Sequence, residues 1–175
     1  MNFLLTLIPG MIVALCRKQS FKHATLNIMF TAYLTATLYY VTNISTIHDV
    51  WTGAVGPLVL LPFNSQGIDT YLWNIALFIP LGFMLPMLNQ ASRKWDITLA
   101  CGFFFSLTIE IFQLFNSRIT DIDDLITNTL GTLIGYLIFK GLSSESDDNS
   151  ERTSFFEQFT IMVICILSVF FLKSV

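Results

Sequence analysis

Glu110 is the only ionisable residue well inside an apolar segment of this chain. Ser106, Glu110, Gln113 and Ser117 are spaced four, three and four apart, so they fall on one helical face. A charge at mid-bilayer costs on the order of 3 kcal/mol on insertion scales. Such a side chain therefore has to meet polar partners or water, and there it could serve as a general base. Downstream, Asp121-Ile122-Asp123-Asp124 offers three carboxylates. Their oxygens suit a hard divalent cation, and equally the start of a helix. Asp121, Asp124, Asn128, Gly131 and Gly135 continue at offsets of three, four, three and four, giving a face that is acidic and amide above and glycine below. Asn74 adds a further amide, and Arg118 a cation able to pair with Glu110. Asn74, Glu110, Gln113, Arg118, Asp121, Asp123, Asp124 and Asn128 thus form a candidate functional pocket. Each also has a purely structural reading: an interhelical bond for Asn74, an ion pair for Glu110 and Arg118, an N-cap for the aspartates.

The elements that position these groups follow from composition. Of 175 residues, 54% are hydrophobic and only 12% charged, against about 25% charged in ordinary soluble domains. So much apolar surface exceeds what one small core can hide. Nine Lys+Arg against 12 Asp+Glu, with no basic run, exclude a nucleic-acid binder. The fold class expected is an all-α polytopic membrane protein.

A crossing helix needs about 20 mostly apolar residues. Six segments qualify as a bundle of about six transmembrane helices: Asn2–Cys16, Ala24–Ile47, Tyr71–Leu88, Ile97–Phe115, Asp124–Phe139 and Phe155–Leu172. A seventh apolar run, about residues 50–68, carries Gly53, Gly56, Pro57, Pro62 and Gly67, too many breakers for a spanning helix. Read as a re-entrant or interfacial external loop, it leaves Arg17, Lys18, Lys22, Arg93, Lys94, Lys140 and Arg152 on one side and only Arg118 and Lys173 on the other. That seven-to-two split places both termini outside. Trp51, Tyr71 and Trp73 then mark the outer boundary and Trp95 the inner one. Depth puts Asn74, Glu110, Gln113 and Asn128 in the outer half, capped by Arg118 and the aspartates.

The same reading divides the chain into an N-terminal helix and cytoplasmic turn (1–23), a membrane core (24–142), a polar cytoplasmic loop (143–154) and a C-terminal helix (155–175). The first apolar segment has its positive charge after it, at Arg17 and Lys18, the reverse of a secretory leader, so a retained span is expected. Pro80, Gly82 and Pro86 predict a kinked third span, and Gly131-x-x-x-Gly135 a close helix contact. Cys16, Cys101 and Cys165 have no disulfide or zinc spacing. His23 and His48 fall in loops with no assigned role, and no cofactor motif is present.

Four stretches resemble the VanZ-like family: Leu60-Leu61-Pro62-Phe63; Asn74 through Gly82; Ser106 through Gln113; and Asp121 through Thr129 followed by Gly131. The likeness runs from about Ala24 to Leu142. It implies an accessory membrane protein of glycopeptide resistance in the bacterial cell membrane, stronger against teicoplanin than vancomycin, and transfers no catalytic residue. On that basis the expected function is non-enzymatic, through an outer-leaflet polar pocket. The partners are the lipid bilayer and either an acylated glycopeptide or a lipid-linked envelope precursor. The alternative is an intramembrane enzyme acting on such a precursor, with Glu110 as base and the aspartates holding a cation.

Overall fold

The computed structural model of the chain describes residues 20–42, 56–63, 67–114, 119–143 and 155–173, together with Ile8 and Ile12. These contain five helices: α1 (Phe21–Thr42), α2 (Ile68–Leu88), α3 (Trp95–Leu114), α4 (Ile122–Leu142) and α5 (Phe155–Lys173). A 3-10 turn, Ala91–Arg93, joins α2 to α3. Two short strands, β1 (Leu58–Val59) and β2 (Thr120–Asp121), pair in parallel, Leu58 opposite Thr120 and Val59 opposite Asp121.

Among the described residues, α2, α3 and α4 are long and apolar enough to cross a membrane. The chain is thus an all-helical membrane protein. The Asn2–Cys16 span lies outside the described residues apart from Ile8 and Ile12. So do Cys16, Arg17, Lys18, His48, Trp51, Ser117, Arg118, Arg152 and most of the polar 143–154 loop. The helix expected at Ala24–Ile47 begins earlier, at Phe21, and its described part ends at Thr42. Consequently His23 is not in a loop: it lies in the first turn of α1 and is buried. It begins a buried polar stripe, His23, Asn27, Thr31 and Thr35, repeating every four residues. The stripe lowers the apolarity of α1 and packs it against α5, where Gln158 and Cys165 are also buried and Thr35 Oγ1 lies 3.9 Å from Cys165 Sγ.

Helix α4 is longer than expected, 21 residues, because it takes in Ile122 and Asp123 at its start and runs on past Phe139 to Leu142. Helix α2 runs unbroken through Pro80 and Pro86. Neighbouring helices in a bilayer can take up the backbone groups that a proline frees.

The tightest seam joins α2 and α4. A Cβ on Gly131 would overlap the Ile75 carbonyl, one on Gly135 the Ile79 carbonyl, and one on Gly82 the Thr132 carbonyl. Gly102 of α3 meets the Thr132 side chain in the same way. Lipid tails are as apolar as leucine, so close backbone approach of this kind, rather than water exclusion, drives association. Around the seam, Phe30, Leu34, Phe78, Leu81, Phe105, Ile109 and Ile161 form the core, with the Phe78 and Phe105 ring centroids 5.8 Å apart.

Two bonds set the orientation of α1. Tyr33 Oη donates to the Leu77 carbonyl (2.7 Å), and Gln113 Nε2 donates to the Val41 carbonyl (3.2 Å). The last turns of α1 and α3 therefore share one end of the bundle with the first turns of α2 and α4. That end carries Asp69, Asp121, Asp123 and Asp124; the other carries Lys22, Arg93, Lys94 and Lys140. At the basic end, Tyr136 Oη donates to the Arg93 carbonyl (2.7 Å), and the Arg93 guanidinium stands 5.8 Å from the Phe139 ring centre.

Candidate functional site

At the acidic end the chain uses backbone bonds to lay an irregular segment across the helix ends. Gly56 N–H donates to the Leu114 carbonyl (2.9 Å), closing the segment onto α3. Thr120 N–H donates to the Pro57 carbonyl (3.0 Å), and the β1–β2 pair continues the contact. Such pairing satisfies backbone groups of an irregular segment that would otherwise lack partners.

Asp123 finishes the attachment. Its carboxylate is fully buried. Both oxygens accept from Phe63 N–H, at 2.8 and 2.9 Å, and Oδ2 also accepts from Tyr71 Oη at 2.8 Å. Phe63 has φ of 60°, the left-handed region that a phenylalanine rarely adopts. A residue held there costs of order 1–3 kcal/mol. The charge-assisted bonds to Asp123 are of the stronger kind and oppose that cost. The Phe63 and Tyr71 rings meet edge to face at 5.8 Å.

The other acidic side chains take separate tasks. Asp121 is the N-cap of α4: its side chain accepts from Asp123 N–H (3.0 Å). Its own N–H donates to Glu110 Oε2 (3.2 Å), and Thr120 Oγ1 donates to the Glu110 carbonyl (3.2 Å). Glu110 thus ties the end of α3 to the start of α4. Asp124, half-buried, accepts from Asn74 Nδ2 at 2.6 Å, joining α4 to α2. One turn below, Asn128 Nδ2 donates to Ser106 Oγ at 2.9 Å. Gln113 reaches α1 through the Val41 carbonyl.

Sequence spacing placed these residues at one depth, and seven of the eight candidates meet at this end: Asn74, Glu110, Gln113, Asp121, Asp123, Asp124 and Asn128. Arg118 lies outside the described residues. The single acidic face drawn through Asp121, Asp124 and Asn128 divides in three dimensions. Asp121 precedes the helix, Asp124 turns to α2 and Asn128 to α3. The three aspartates diverge toward different donors, and among the described residues no group of three His, Cys, Asp or Glu side chains could hold a metal ion. Among the described residues, Gln113 Oε1 and Asn128 Oδ1 are buried acceptors that meet no donor.

Two participants were not assigned to the site from spacing. Phe63 contributes through its backbone, and Tyr71 was read only as a boundary aromatic. The available signal was the Pro62-Phe63 pair in a breaker-rich apolar run, one of the four stretches of family likeness. The segment they anchor exposes Leu58, Leu60, Leu61 and Phe63, beside exposed Ile68, Leu72, Trp73 and Ile119. This apolar rim lies over a buried polar floor, an inversion of the usual soluble surface.

The family model described as VanZ/LLP1 matches residues 1–143. Protein VanZ of Enterococcus faecium is 32% identical over 114 residues, covering 63% of this chain and 70% of that protein. No solved structure matches.

Proposed function

The chain belongs to the VanZ/LLP1 family, and from that premise we propose that it is a glycopeptide-resistance accessory protein of the bacterial cell membrane, non-enzymatic, working at its acidic end. The observation that carries this reading is the pairing of an exposed apolar segment, Leu58 to Phe63, with the buried carboxylate that pins it. The seven-to-two basic split sets the acidic end outside, and both termini with it. There the apolar rim meets the outer leaflet, where an acyl-anchored glycopeptide or a lipid-linked envelope precursor would lie. Burial is worth about 0.8 kcal/mol per CH₂, so a lipidated drug and a drug without the chain are separable by contact with such a rim. Each aspartate is engaged by backbone or side-chain donors, which speaks for a holding role over a cation site.

Expression in a susceptible Gram-positive host tests the reading. The inhibitory concentration should rise more for teicoplanin, which carries an acyl chain, than for vancomycin, which does not, with the envelope precursors unchanged. Glu110→Gln and Asn128→Leu should reach the membrane at normal levels and lose protection. In a variant without native cysteines, single cysteines at 66 and 119 should react with impermeant thiol reagents from outside, and those at 92 and 147 should not. Equal protection against both drugs, with altered precursors, would move the assignment to the enzyme alternative.

A further inference from the structure

A cavity of about 610 Å³ opens between α3 and α5, away from the acidic network. Its walls are Ile97, Ala100 and Phe104 of α3 and Phe159, Met162 and Ile166 of α5. Thr108 supplies a hydroxyl, already donated to the Phe104 carbonyl at 2.7 Å. The walls are otherwise apolar and offer little to a polar ligand. From Ile97 to Thr108 the cleft covers roughly 16 Å at 1.5 Å per residue, about half of the roughly 30 Å hydrocarbon layer. Ala100, Phe104 and Phe159 are exposed along its mouth. Since α3 is apolar and long enough to span, that mouth faces lipid tails.

Described basic side chains outnumber acidic ones at the lower end of the cleft. Ala91, part of the lining, belongs to the 3-10 turn that ends at Arg93 and is followed by exposed Lys94. Trp95 stands exposed beside them, an amphipathic ring of the kind enriched at membrane boundaries. Asp96 is the one described carboxylate side chain at this end, and its Oδ1 accepts from Ile97 N–H at 3.0 Å, in the opening turn of α3.

From this arrangement we infer that the α3–α5 cleft binds one acyl chain of an anionic phospholipid, whose head group sits against Lys94 and Trp95. The occupant is one chain deep, apolar along its length and negative at its end. A free anion would gain nothing from the walls, and an uncharged lipid nothing from Lys94. The site lies in the half of the bundle opposite the proposed resistance surface, so either can fail without the other.

Photo-cross-linking of the full chain in neutral detergent tests the inference. The probes are phosphatidylglycerol and phosphatidylcholine, each with a diazirine in one acyl chain. Phosphatidylglycerol should label residues of the cleft on α3 and α5, several-fold above phosphatidylcholine. Ala100→Phe should remove that labelling, and Lys94→Glu should erase the preference between head groups while leaving chain labelling in place. Lys94 is exposed, so this second variant tests the inference even where Ala100→Phe fails to fold. Labelling spread evenly around the bundle, or equal for both lipids in the unaltered protein, would overturn the inference. A bifunctional maleimide gives two further overturning results: Cys101 joined to Cys101 of a second copy, or to Cys16 of the same chain, would name protein as the occupant.

Discussion

Two helix seams in this molecule solve the same problem in opposite ways. Between α2 and α4 the backbones touch: three glycines sit where any Cβ would collide with a carbonyl of the facing helix. Between α3 and α5 the facing side chains are large, Phe104, Phe105, Phe159 and Met162, yet they leave a cleft. Bulk holds helices apart and makes room, whereas small residues bring them together. The closed seam also carries the acidic end, because the helices it locks present Asn74 to Asp124 and Tyr71 to Asp123. A network whose bonds depend on a few tenths of an ångström needs rigid elements beneath it. The open seam carries only apolar walls, which tolerate slack and can accept a flexible chain.

The largest effect should come from closing off the tight seam. Gly135→Leu drives a side chain into the Ile79 carbonyl and toward Phe83 N, and backbone cannot yield as a side-chain tip does. Overpacking costs typically 1–3 kcal/mol and more where backbone must move. The variant should fall to a small fraction of normal membrane abundance, read by immunoblot and by the thermal midpoint in detergent. Gly141, on the same helix with nothing near its missing Cβ, supplies the contrast. There, Gly141→Ala should be neutral or stabilising by about 0.5 kcal/mol. Equal damage from both would dissolve the distinction between a packed seam and a merely helical one.

How much of this was legible beforehand differs between the two seams. Gly131 and Gly135 announced a close approach by spacing alone, and Gly82 stood in the helix they meet. Glu110, Gln113, Asn128 and Asn74 announced a polar convergence, because intramembrane polar groups need partners. The partners themselves were not readable. Asp123 was one of three adjacent carboxylates, and helical spacing favoured Asp121 and Asp124 for the common face. It became the central residue because β2 ends at Asp121, which turns the first helical residues and aims Asp123 at a loop 60 residues earlier in the chain. A backbone N–H at positive φ leaves no mark in residue type. The buried stripe of α1 is hard to read for a simpler reason: threonine and asparagine every four residues lower the apolarity that marks a span, and His23 stands just before the apolar run although the helix already begins at Phe21. The cleft had no sequence sign, since absent volume between two apolar helices is a property of their separation.

An intermediate effect should follow from loosening the network without touching the seam. Asp123→Leu leaves Phe63 N–H and Tyr71 Oη without their acceptor and removes the compensation for the strained Phe63 backbone. Buried donors left unmatched cost roughly 1–3 kcal/mol each. Helices α2 and α4 should stay packed through their glycines, so abundance should hold while the 56–63 segment detaches. Proteolysis of that segment in right-side-out vesicles should quicken by about tenfold or more, tenfold being the counterpart of 1.4 kcal/mol. Loss of the whole protein instead would mean that the acidic end supports the seam, and not the seam the acidic end.

The smallest effect isolates one bond. Tyr71→Phe removes the hydroxyl that donates to Asp123 Oδ2 at 2.8 Å and keeps the ring that meets Phe63 edge to face. Both Phe63 bonds to the carboxylate survive, so the segment should stay in place. A hydrogen bond to a charged group contributes about 1.5–3 kcal/mol, and that full cost is not expected here because Tyr71 is only half-buried and water can replace the hydroxyl. The thermal midpoint should fall by a few degrees at most, the loop should digest at near the normal rate, and teicoplanin protection should persist. If Tyr71→Phe instead matches Asp123→Leu in loop release, the hydroxyl, and not the Phe63 backbone, holds the segment. The positive φ at Phe63 would then be a consequence of the docking and not its anchor.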